Sequence, residues 1–135
     1  MNVLEQIRAR AAADSPLWAA ALLPGEPPPA AYAGRCPDTH LLGVEMIREG
    51  YLLHGGRSRL GGQDDRDLAL LTGDYLYAAG LAEICATGDL TAVMTLAELI
   101  SACARDRGEG AGDHEDRWTA ALAALARPLT SAHLS

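Results

Sequence analysis

Residues 68–86 contain only two charged side chains, Asp74 and Glu83, in a run dominated by Leu, Ala and Gly. An apolar run of that length reads as a helix, and the two acids within it argue for a buried helix rather than a membrane span. Its apolar side chains continue nearly all the way round, which predicts burial on more than one side. Gly73, Ala78, Ala79, Gly80 and Ala82 make a small-residue face that lets another helix come close, while Leu70, Leu71, Leu76 and Leu81 fill the core around it. Asp74 is expected to pair with an arginine or a neighbouring helix end, because an unpaired buried carboxylate is costly.

The remaining segments are helical in the same way. Val3, Leu4, Ile7 and Ala11 form one stripe of a first helix, and Leu17, Trp18, Leu22 and Leu23 place a second over 16–23, with Pro16 in its first turn. The run Pro24-Gly25-Glu26-Pro27-Pro28-Pro29 ends that helix and acts as a stiff spacer. Leu41, Leu42, Val44, Met46, Ile47, Leu52 and Leu53 predict a helix over 39–54 that packs on two sides, capped by Asp38 or Thr39. Gly55-Gly56, followed by Arg57-Ser58-Arg59, has the signature of a C-terminal cap, and 55–62 form a glycine-rich loop. The next helix is expected to begin near Gln63, with Asp64, Asp65 and Asp67 in its first turn, where the helix dipole favours acids. Gly88-Asp89 stops it and caps another helix over 90–105. Gly108-Glu109-Gly110-Ala111-Gly112 reads as a flexible linker and Asp113 with Asp116 as an acidic cap. A last helix over 114–127 carries Trp118, Leu122 and Leu125 and stops at Pro128.

The expectation is therefore an all-α bundle of five to six helices. Its 135 residues suit one domain. Within it 1–38 hold the N-terminal helices and proline-rich linker, 39–107 a helical core, and 113–128 a C-terminal helix. With six aromatic residues and no phenylalanine, the core has to be built from Leu, Ala, Val, Ile and Met.

A net charge of −7 gives no general attraction for nucleic acid or anionic lipid, and all 11 cations are arginine. Cys36, Cys85 and Cys103 are odd in number and widely spaced, which argues against a disulfide framework or zinc site. Cys85 and Cys103 fall in apolar helical patterns, as buried cysteines do. The first ten residues lack a signal-peptide core, so the expectation is a cytoplasmic protein without a membrane span.

Three segments carry a resemblance: Glu45-Met46-Ile47, then Leu52-Leu53-His54-Gly55-Gly56, then Leu70-Leu71-Thr72-Gly73-Asp74-Tyr75-Leu76. Together they resemble the trans-isoprenyl diphosphate synthases, whose pattern runs E-x-x-H, L-x-H-D-D-x-x-D and A-x-L-x-G-D-Y-L. The likeness covers about residues 39–103 and implies part of the isoprenoid synthase fold. In the family the aspartate run converges on Mg²⁺ bridging a diphosphate. Here Gly55 and Gly56 stand at the first two aspartates, and Ser58 and Arg59 fill the region of the third. The spacing from His54 to Gly73 is shorter than in the family, the second aspartate-rich segment has no counterpart in these residues, and Trp118 stands where a diphosphate-binding lysine is expected.

The resemblance implies a non-catalytic subunit or scaffold, with no catalytic residue and no metal ligand, that forms a homodimer or a heterodimer with a full-length prenyl diphosphate synthase. Gly73, Asp74, Tyr75 and Gly80 are the interface or structural candidates. The alternative is a minimal binding protein or prenyltransferase that keeps an apolar tunnel for an isoprenoid ligand. It would hold a diphosphate through His54, Arg57 and Arg59, with Asp64 and Asp65 as further ligand-binding candidates and Mg²⁺ only as a companion of that diphosphate. A third reading is an unrelated helical interaction module.

Overall fold

A computed structural model describes residues 2–108 and 114–126. Among them are six helices and no β-strand: α1 (Val3–Asp14), α2 (Pro16–Ala19), α3 (Asp38–His54), α4 (Arg66–Ala86), α5 (Leu90–Gly108) and α6 (Glu115–Ala126). The all-α expectation holds. The expected linker beyond Gly108, the cap at Asp113 and the stop at Pro128 lie outside the described residues.

Local chemistry sets most helix ends. Asn2 Oδ1 accepts from Glu5 N at 2.9 Å to start α1, and Ser15 Oγ accepts from Trp18 N to start α2. Asp65, expected inside the first turn of α4, is instead its cap and accepts from Leu68 N at 3.1 Å, so Asp64 precedes the helix. Asp89 caps α5 through Ala92 N, and its other oxygen meets His40 Nε2 at 2.9 Å. That bond to His40 holds the Asp89 carboxyl below its usual range. At the start of α3 neither Asp38 nor Thr39 is the cap. Pro37 occupies that position and no side chain bonds the first turn.

The second helix is shorter than its apolar pattern predicts. After Ala19 the backbone turns away and pairs with the loop beyond α3, through Leu23 N to Leu60 O at 2.9 Å and Gly62 N to Ala21 O at 3.0 Å. Trp18 follows it into the core and donates from Nε1 to Gly61 O.

The centre of the bundle is α3, in which every residue from 43 to 53 except Arg48 is buried. One flank, with Met46 and Leu53, packs among Leu4, Ile7, Trp18, Leu60 and Leu76. The other, with Val44, Ile47 and Tyr51, packs among Ile84, Leu96, Trp118 and Leu122. Its most extensive neighbour is α4. The two run antiparallel and meet at paired glycines: a Cβ on Gly80 would lie 2.7 Å from Gly43 O, and a Cβ on Gly50 would lie 2.7 Å from Gly73 O. Of the small residues expected on one face, Gly73 and Gly80 serve this contact within the chain, whereas Ala78 and Ala82 lie on the exposed side of α4.

Burial of α4 on more than one side is not what the chain itself provides. Leu71, expected in the core, is 69% exposed, and Ala78, Ala82 and Cys85 are exposed on the same stripe. Cys85 is therefore not the buried hydrophobe its pattern suggests, whereas Cys103 is buried. Asp74 also lies on this outer stripe, so it needs no buried partner.

Candidate functional site

The turn after α3, Gly55-Gly56, is a helix terminus. Gly56 adopts φ +72°, and Arg57 N reaches back to Leu52 O at 2.8 Å while Gly56 N bonds Leu53 O. This doubly bonded left-handed ending favours glycine, because a Cβ is strained at positive φ. It satisfies the last carbonyls of α3 and leaves no carboxylate in the turn.

His54 and Asp74, from two of the three segments that carry the resemblance, do come together. His54 Nε2 lies 3.0 Å from Asp74 Oδ1 and 3.2 Å from Leu70 O, and its ring meets Tyr77 edge-on at 5.0 Å. The pairing fastens the end of α3 to α4. Tyr75, next in sequence, donates to Asp14 Oδ2 and ties α4 to the end of α1. Asp64 and Asp65 are both exposed, and among the described residues no group of three His, Cys, Asp or Glu side chains is placed to hold a metal ion.

Arg59 is withdrawn from any ligand by two acids of α3. Glu45 and Glu49 are fully buried, one helical turn apart. Arg59 Nη1 reaches Glu45 Oε1 at 2.7 Å and its Nε reaches Glu49 Oε1 at 2.9 Å. The remaining acceptors are also used: Glu45 takes Ala31 N and Tyr32 N, and Glu49 takes Ser58 Oγ at 2.6 Å. Burial opposes the charge on Arg59, but Glu49 and Glu45 outweigh it and raise the guanidinium above its usual range. This network clasps the 30–32 segment and the 58–61 loop onto α3. Sequence reasoning missed Glu49, although two acids four residues apart in an apolar helix were a legible signal for a shared cation.

Arg57, by contrast, is exposed and lies over the Tyr51 ring, 5.5 Å from its centre. It joins a cluster in which Arg48 lies over Tyr32, Tyr51 and Trp118 at 5.6, 5.1 and 5.0 Å, Arg107 over Tyr51, and Arg35 over Tyr32. Tyr32 stacks on Trp118 at 5.7 Å. Burial pushes the phenols of Tyr32 and Tyr77 up to about 12, so both stay neutral beside these cations, and Tyr77 accepts a hydrogen bond from Arg107. Burial likewise pushes the Cys36 thiol up to about 11 and raises that of Cys103, which removes both as nucleophiles near neutral pH. The sequence reading singled out Arg57 and Trp118 but not Arg48 and Tyr51 of α3, which acquire meaning only when His114 and Trp118 meet them from the start of α6.

What the described residues define is an all-α helical bundle knit by a buried ionic clasp and an arginine–aromatic cluster. No known protein family, curated protein or solved structure matches the chain.

Proposed function

We propose that this chain is a non-catalytic, prenyl-synthase-like helical subunit that works by associating with a second copy of itself through the outer stripe of α4. The single observation that carries the reading is the exposure of that stripe. Among the described residues α4 alone is long and apolar enough to cross a membrane, yet only 33% of its most apolar stretch is buried. Leu71, Ala78, Ala82 and Cys85 repeat at helical spacing along the uncovered side, with Asp74, paired to His54, among them. Leu90 and Met94, one turn apart in α5, are also exposed, at 67% and 72%.

The stripe suits a two-fold contact. A symmetry axis at Ala78 sets Ala78 against itself and Leu71 against Cys85 of the other copy, because the two lie seven residues to either side. Small residues in the middle let the helices approach, and the larger ends close the contact. The resemblance to the synthases supports the same face, since that family dimerises through helices near its G-D-Y-L segment, here Gly73-Asp74-Tyr75-Leu76. The loss of chemistry is supported by the turn after α3, where Gly55 and Gly56 cap the helix, and by Arg59, held by Glu45 and Glu49.

Light scattering is expected to give a dimer, and Ala78→Glu, which opposes two like charges on the axis, a monomer of unchanged helicity. Mild oxidation of Leu71→Cys is expected to link position 71 of one copy to Cys85 of the other. A monomeric parent chain, or a dimer indifferent to both substitutions, overturns this reading.

The purified chain is also expected to yield no product from isopentenyl diphosphate and an allylic diphosphate in Mg²⁺. Radiolabelled product that disappears in Asp64→Asn or Asp65→Asn would show that the acidic approach to α4 had taken over the metal site.

A further inference from the structure

Three buried polar atoms among the described residues have no hydrogen-bond partner: Nη1 of Arg48, Nε2 of His114 and Nε1 of Trp118. An unsatisfied buried donor costs about 1–3 kcal/mol, so each needs a reason. All three belong to side chains grouped around Tyr51. Arg48 lies 5.1 Å from that ring, Trp118 5.5 Å, and His114 meets it edge-on at 5.5 Å. The buried acids Glu45 and Glu49, by contrast, have both oxygens occupied. The deficit is confined to one place.

Its chemistry has one sign. Guanidinium and indole nitrogens only donate. His114 Nδ1 lies 2.8 Å from Tyr51 Oη; a phenol donating to Nδ1 puts the imidazole proton on Nε2, a tautomer assigned from this bond. All three orphan atoms are then donors, and none is an acceptor. A water would bring two further hydrogens that find no acceptor among them, whereas an oxyanion is acceptor on every side.

The charge agrees. Arg35, Arg57 and Arg107 lie over Tyr32 or Tyr51, and no ion pair engages them among the described residues. Of the acids nearby, Asp106 pairs with Arg117 and Glu45 with Arg59, while Glu115 sits on Arg48 itself, bonding Nη2 at 2.8 Å and leaving Nη1 without a partner. A chain of net charge −7 thus gathers four of its 11 arginines, Arg35, Arg48, Arg57 and Arg107, around two tyrosines.

We propose that this cluster, where α3 meets α6 and the end of α5, binds the phosphate group of a small molecule. Arg48 Nη1, Trp118 Nε1 and His114 Nε2 donate to its oxygens, and Arg57 and Arg107 supply further positive charge beside Tyr51. A tetrahedral, multiply charged group matches three donors and several cations better than a planar, singly charged carboxylate. His114 and Trp118 are only 3% and 2% exposed, so the covering side chains have to part before the anion enters. The bound group is then held out of water, where charge-assisted bonds are strongest. The site stands apart from the outer stripe of α4 and does not depend on the chain being a dimer.

The indole N–H resonances of ¹⁵N-labelled protein provide the test. Trp18 Nε1 already donates to Gly61 O at 3.2 Å, so it serves as the internal reference, with the Trp118 signal assigned by Trp118→Phe. Titration with inorganic phosphate and with glycerol phosphate, against chloride at equal ionic strength, is expected to shift the Trp118 signal saturably and leave Trp18 in place. Tighter binding of the ester identifies an organic phosphate as the ligand, and equal binding a free one. Arg57→Gln, at an exposed position, and Arg107→Gln are each expected to weaken binding about tenfold, the loss expected when one cation close to a bound anion is removed near the protein surface. Arg10→Gln, whose parent side chain pairs with Glu83, is expected to bind as the parent does. A Trp118 signal unmoved at phosphate concentrations on the order of 10 mM, or moved equally by chloride, overturns the proposal. So does undiminished binding by Arg57→Gln and Arg107→Gln together.

Discussion

Gly80→Leu is expected to lower the thermal midpoint by about 10 °C or more, or to prevent folding, since overpacking costs about 1–3 kcal/mol for modest intrusions and more for a whole side chain. The position admits no relief. Even a Cβ would stand 2.7 Å from Gly43 O, which is backbone, and 2.7 Å from Ile47 Cγ1. Making room means pushing α3 and α4 apart along the contact that organises both sides of the core. Ala104→Leu adds bulk at an exposed position of α5 and is expected to leave the midpoint within about 2 °C. Gly80→Ala is the sharper comparison. Alanine in an open helix gains about 1 kcal/mol over glycine, so a fall in stability isolates the steric term. Equal midpoints for parent and Gly80→Leu, measured by circular dichroism, would mean that α3 and α4 do not touch at these glycines.

Arg59→Met is expected to cost about 3–5 kcal/mol, the loss typical when one partner of a buried ion pair is removed and the other charge stays behind. Two carboxylates stay behind here, each fully buried. The 30–32 segment and the 58–61 loop should loosen together, because both are held by the acids that Arg59 neutralises. Adding Glu49→Gln to Arg59→Met is expected to recover part of the loss, with a coupling on the order of 1–3 kcal/mol in urea unfolding. Strict additivity of the two substitutions would show that the bonds between Arg59 and Glu49 contribute nothing to stability.

Much of the bundle was legible in the residues. Helical periodicity placed all six helices, and Asp89, Gly56 and Ser15 act at helix ends by chemistry that needs only their neighbours in sequence. The candidate sites fared differently because their meaning is tertiary. Arg59 offered itself as an anion contact until the fold set it between Glu45 and Glu49. Arg57, lying over Tyr51 of the helix just before it, was one cation in a loop until Arg107 arrived from α5 and Trp118 from α6. Asp74 sat in an apolar run and looked buried, yet it faces outward and holds His54.

Alone, the sequence determined an all-α chain, with its breaks and the helix ends at Gly56 and Asp89. Only the tertiary structure decided which helix is central. The more apolar α4 keeps one side open, while α3, carrying Glu45, Arg48, Glu49 and two glycines, is buried almost throughout. Hydrophobic pattern measures what a helix gains on average by leaving water. Burial at a given position also needs a partner for every polar group and room for every backbone. Arg59, Ser58 and the amides of Ala31 and Tyr32 meet the first need for Glu45 and Glu49, and the glycines facing one another across α3 and α4 meet the second.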